Sequence, residues 1–127
     1  MTTREQTPRA RAEVRQVARA MTWAQDQIEL TDKEVAAALG GVSTRTVARW
    51  RDKQQRPQPG AVIAAETMLR LATALEAVFG TDKTRMQEWL HEPVKAFKGQ
   101  TPLRMITGGN AERVVTLLAN VDAGTFD

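Results

Sequence analysis

Of 127 residues, 42% are hydrophobic and 26% charged, the balance of a globular chain rather than a disordered one. The absence of cysteine removes disulfide and thiolate chemistry. No apolar run approaches the ~18 residues that span a membrane, and the opening MTTREQTPRARAE lacks the apolar core of a secretory signal. The expectation is a cytoplasmic chain with no membrane role, forming one domain or two small ones that share a core.

Residues 1–8 are polar, end in Pro8 and read as a flexible N-terminus. From Arg9 to about Trp23, Val14, Val17, Ala18 and Met21 recur at helical spacing. Arg11, Arg15 and Arg19 step by four along another face, which is either a solvated surface or a contact for a DNA backbone. Gln25 to Leu30 read as a connector whose Ile28 and Leu30 turn into the core.

Residues 31–53, TDKEVAAALGGVSTRTVARWRDK, carry the strongest pattern. Thr31 followed by Glu34 is a capping-box start, and Val35, Ala36 and Leu39 form an apolar stripe. Gly40-Gly41 supplies the left-handed backbone that a sharp reversal needs. Ser43 caps a second helix that turns Val47 and Trp50 inward and leaves Thr44, Arg45, Thr46 and Arg49 on other faces. This is helix-turn-helix grammar. Net charge is only +3, yet residues 1–60 hold eleven basic against seven acidic side chains, while residues 61–127 hold seven against eight. The basic excess from Ser43 to Arg56 suits a phosphate-facing surface, with a solvated helix face as the plainer reading. Arg45 and Arg49, beside Ser43, Thr44 and Thr46, are candidates to reach base edges; Lys53 and Arg56 are candidates for phosphate. One recognition helix rarely suffices, so a homodimer on an inverted repeat of operator DNA is expected.

The segment QQRPQPG at 54–60 breaks the chain and separates a helix-turn-helix domain at 9–57 from residues 58–127. Residues 61–79 form the longest predicted helix, with Ala61, Ala65, Met68, Ala72, Leu75 and Phe79 as a seam. So apolar a helix needs cover, from its own chain or from a second copy. Thr81 or Asp82 caps a helix to Leu90, with Met86, Trp89 and Leu90 inward. A loop at 94–100 contains Phe97 and Gly99. Thr101-Pro102 opens a short helix, in which Leu103 and Ile106 pack. Asn110 caps a last helix carrying Val114, Val115, Leu117, Leu118 and Val121 and ending at Gly124. No alternating strand pattern occurs, so the predicted fold is all-α: a helix-turn-helix bundle, a long linking helix and a small helical C-terminal domain.

Residues for catalysis are scarce. Ser43 is the one serine and His91 the one histidine, neither glycine pair continues as a phosphate loop, and no metal-ligand or paired-carboxylate spacing is present. No catalytic residue, metal site or cofactor is expected; the chain reads as a binder rather than an enzyme.

Trp89-Leu90, Pro93, the block AFKGQTPL from Ala96 to Leu103, and the Val-rich helix before Gly124 resemble the toxin-binding domain of the Xre–MbcA–ParS antitoxins. Members of that family join this domain to an N-terminal Xre-like helix-turn-helix, so the resemblance covers residues from about 10 to 127. The chain departs from the family pattern in Val94 after Pro93, in Phe97-Lys98 before Gly99, and in one extra glycine in the turn at Gly40-Gly41. The resemblance implies an antitoxin that holds a RES-domain, NAD-degrading toxin inactive, the toxin being encoded by a neighbouring gene, and that binds its own promoter. It also implies that the last helix and tail cover the toxin active site. Gly124, Thr125, Phe126 and Asp127 are then the occluding residues, with Val121, Phe97, Gly99 and Pro102 as further toxin-binding candidates. From charge alone, the acidic tail suits mimicry of NAD phosphates. The competing reading is a stand-alone dimeric transcription regulator with no toxin partner.

Overall fold

Thr7 opens the first helix: its hydroxyl accepts from the Ala10 amide at 3.0 Å, and Pro8 takes the first helical position, where no amide is needed. The computed structural model describes residues 7–52 and 55–121. Among them the fold is all-helical, as the sequence predicts: α1 Pro8–Gln27, α2 Asp32–Ala38, α3 Thr44–Arg51, α4 Pro59–Phe79, α5 Lys83–Leu90, α6 Pro102–Thr107 and α7 Ala111–Ala119, with a 3-10 turn at Lys95–Phe97.

α1 runs four residues beyond the predicted end at Trp23, because Ala20 and Ala24 extend the buried stripe of Val14, Val17 and Met21. The Lys83 ammonium and the Gln87 amide, both on α5, donate to the carbonyls of Asp26 and Gln27, which have no partner within the helix. Glu29 takes a left-handed φ of 60° and lets Ile28 and Leu30 turn inward.

α4 begins at Pro59, two residues earlier than expected, since a proline is admitted in the first turn of a helix although not in its interior. Its buried seam is Ala61, Ala65, Met68, Leu71 and Leu75. Leu71 replaces the predicted Ala72, which is half-buried, as is Phe79. Ala61 and Ala65 admit close approach, and α4 packs most extensively against α1 on one side and α7 on the other. One cluster of buried side chains therefore runs from Val17 through Trp50, Leu71 and Trp89 to Leu118.

In the C-terminal part, Asp82 rather than Thr81 caps α5 through the Arg85 amide at 3.0 Å. Met105 and Ile106 bury in α6, with Leu103 half-buried. Asn110 stands at the start of α7, but its side chain turns back to the Gly108 carbonyl at 3.4 Å instead of capping. α7 stops at Ala119, short of the predicted end at Gly124.

Candidate functional site

The turn between α2 and α3 sets the angle at which α3 is presented. The Thr31 hydroxyl accepts from the Glu34 amide and the Glu34 carboxylate accepts from the Thr31 amide, the full capping box at the head of α2. At the other end the Ala36 carbonyl accepts from both Gly41 and Val42. Gly40 and Gly41 hold φ of 108° and 77°, so the extra glycine adds one more left-handed residue before the chain returns to extended backbone at Ser43.

α3 has eight residues, and isolated helices under about 12 residues are marginal in water. Tertiary packing must hold it. Val47 and Trp50 are fully buried, each contributing about 1.5–3 kcal/mol by burial. The Ser43 hydroxyl accepts from the Thr46 amide at 3.1 Å and lies 3.1 Å from the Thr46 hydroxyl, so both belong to the cap. Thr44, Arg45 and Arg49 are exposed. Arg45 makes no ion pair or hydrogen bond among the described residues, and Arg49 reaches only Gln55, at 3.5 Å. Arg56 is exposed but tied to α1, its guanidinium lying 3.1 Å from Glu13. Lys53 lies outside the described residues.

Arg51 is one of the basic residues of this run, but its role escaped the sequence. Its guanidinium donates to Asp32 and to Gln25, each at 2.9 Å, and the Gln25 amide donates to Asp32 at 2.6 Å. The Gln25 and Arg51 hydrogen bonds hold the Asp32 carboxyl below its ordinary value. Three helices meet in this network, and no local spacing signals it because its members lie 7 to 26 residues apart.

The second half of the chain offers a different surface. In the loop at 94–100 the Val94 carbonyl accepts from Phe97 and Gly99, and Val94 donates to Gln100, each at 3.0 Å. Phe97 is buried, with the Arg113 guanidinium 6.0 Å from its ring centre. Pro102 is buried as well, whereas Gly99 is exposed. Among the toxin-binding candidates, Phe97 and Pro102 thus hold the loop from inside. Val121 is half-buried and borders a groove of about 1290 Å³ walled by α4, Gln16 of α1, the start of α5 and the end of α7. Leu118, named on the apolar face of the predicted last helix, lines it together with Ala77 and Val78, which the sequence pattern does not single out. Arg70 of α4, which lines it, donates to the two carboxylate oxygens of Glu112 at 2.6 and 3.2 Å. That contact lowers the Glu112 pKa and raises that of Arg70. Gly124, Thr125, Phe126 and Asp127 lie outside the described residues.

Among the described residues no group of three or more potential metal ligands occurs. The His91 ring nitrogen Nδ1 lies 2.9 Å from the Gln87 carbonyl. No described helix is long and apolar enough to cross a membrane.

The comparisons with known proteins meet this geometry in the C-terminal part. No curated protein matches the sequence. The fold is similar to a chain in the crystal structure of the M. tuberculosis MbcT–MbcA toxin–antitoxin complex, with a TM-score of 0.58 and 24% identity over 87% of this chain and 97% of that one. A likeness at that identity bears on the fold. Residues 74–124 match the model of the antitoxin Xre/MbcA/ParS C-terminal toxin-binding domain. These residues, which include the α5–α7 helices, the loop at 94–100 and Val121 at the edge of the groove, are thus similar to the toxin-binding domain of the Xre/MbcA/ParS antitoxins.

Proposed function

We propose that this antitoxin neutralises a RES-domain, NAD-degrading toxin encoded beside it and represses its own promoter through α3. The observation that carries the reading is the toxin-binding-domain match over residues 74–124, in a chain whose preceding helices present Arg45 and Arg49 outward from a capped turn. On this reading the toxin contact is made by residues 124–127 with Val121 at its edge and Gly99 exposed beside the loop. Phe97 and Pro102 act from beneath, by fixing the backbone that carries the contact. The acidic Asp127 at the tail suits a basic pocket built for phosphates.

For DNA, Thr44, Arg45, Thr46 and Arg49 are placed on the first turns of α3, the part of a recognition helix that enters the major groove. Ser43 orients that turn by capping it. Lys53 and Arg56 follow α3 and are assigned to phosphate, Arg56 exchanging Glu13 for the DNA backbone. Two copies reading an inverted repeat supply the affinity that one helix lacks. Co-expression with the neighbouring gene tests the partner: stable co-purification supports the antitoxin–toxin pair, and a chain that purifies alone leaves a stand-alone regulator.

A further inference from the structure

We infer that Lys83 and Gln87 of α5 are positioning residues for DNA reading: they close the last turn of α1, that turn holds Gln25, and Gln25 sets the tilt of α3. The inference rests on the reading that α3 enters operator DNA. It gives two residues of the toxin-binding half a part in that reading.

The last turn of α1 is not closed by its own sequence. The final carbonyls of a helix have no partner within it, and the usual remedies are a glycine just past the end and a basic side chain in the last turn. α1 has no basic residue in its last turn. The left-handed position past its end is Glu29, with φ of 60°, a conformation uncommon for residues other than glycine. The backbone supplies one closure, the Leu30 amide donating to the Ala24 carbonyl at 3.1 Å. α5 supplies two more: the Lys83 ammonium donates to the Asp26 carbonyl at 2.9 Å and the Gln87 amide to the Gln27 carbonyl at 3.1 Å. Lys83 also brings to this helix end the positive charge that α1 lacks.

The same turn carries a side chain that reaches the other way. Gln25 is half-buried; its carbonyl oxygen accepts from Arg51 at 2.9 Å and its amide donates to Asp32 at 2.6 Å. Residues 25–27 therefore bond α2 and α3 on one side and α5 on the other. With Lys83 and Gln87 removed, the last turn frays and Gln25 loses its fixed backbone. α3, only eight residues long, is then held mainly by Val47 and Trp50. DNA binding must restore the lost order, and that ordering lowers affinity. Neither Lys83 nor Gln87 lines the groove around Val121, so their effect on DNA is separable from toxin capture.

The full chain carrying Lys83→Met with Gln87→Leu tests the inference, by gel shift on its own promoter and by nitrogen-15 NMR of the Gln25 side-chain amide. Circular dichroism controls for folding; if the double variant does not fold, each single variant carries the same two measurements. Operator affinity is expected to fall about three- to tenfold, and the Gln25 amide resonance to move toward that of a solvated glutamine. Lys83→Arg, which keeps the donor, is expected to hold both at wild type. Folded variants with unchanged operator affinity overturn the inference. Lost affinity with an unmoved Gln25 resonance also overturns it, because the effect then bypasses α1. A wild type that binds no operator defeats the DNA reading, whereas a Gln25 resonance that moves in the same variants sustains the joint between α5 and α3.

Discussion

Arg51, in the last turn of α3, and Asp32, at the head of α2, are joined by a 2.9 Å ion pair that fixes the two helices of the turn against each other. The Asp32 carboxyl sits below its ordinary 3.8 because Gln25 and then Arg51 donate to it. A depressed carboxylate stabilises the fold above its unfolded pKa and loses that contribution as pH falls through the folded value. The pair is about half exposed, so screening limits it to about 0.2–1 kcal/mol. Asp32→Asn should therefore lower stability by that amount at pH 7 and by nothing once the pH lies well below 3.8. Denaturant melts at several pH values measure it.

Gly40 and Gly41 have φ of 108° and 77°, and a side chain added at either meets no atom within 4 Å. The cost of Gly41→Ala is then conformational rather than steric, about 1–2 kcal/mol. Because the strain lies in the turn that aims α3, operator affinity should fall further than stability does. Paired melts and gel shifts separate the two.

Arg45→Ala and Arg49→Ala should each weaken operator binding by about 1–3 kcal/mol if they read bases. Arg56→Ala should weaken all DNA equally and flatten the salt dependence. Among the described residues neither Arg45 nor Arg49 has a structural partner closer than the 3.5 Å contact to Gln55, so the melting temperatures of these variants should stay within a degree or two of wild type. Intact operator binding by the double variant removes α3 as the reading helix.

Phe97 is buried at the centre of the 94–100 loop, and truncating such a ring costs about 3–5 kcal/mol. Phe97→Ala should lower thermal stability markedly, with any loss of toxin binding following the loss of fold. Val121→Asp, at a half-buried position beyond the end of α7, should leave the melting temperature nearly unchanged while weakening capture of the toxin. Equal effects of the two on stability contradict the division between supporting and contacting residues.

The fold was legible where local rules act alone. Thr31–Glu34, Ser43 and Thr101-Pro102 place helix starts that the structure reproduces, since capping depends on residues three apart. Ends were less legible. Trp23 looks like a stop until Ala24 is seen to bury against its neighbours, and Gly124 overshoots because Asn120 already closes α7. Contacts between distant segments were invisible: nothing local links Arg70 with Glu112, 42 residues on, or Arg56 with Glu13. The same limit hid the groove, whose walls come from four helices. Family resemblance supplied the antitoxin reading, because no residue in the AFKGQTPL block carries chemistry of its own.

The most direct test of the account is NAD consumption by the neighbouring gene product, assayed with the intact chain and with a chain lacking residues 124–127. The account predicts that the intact chain co-purifies with that product and silences NAD loss, and that the truncated chain releases the activity. Full silencing by the truncated chain contradicts the tail mechanism, and failure of the intact chain to bind contradicts the antitoxin assignment of this partner.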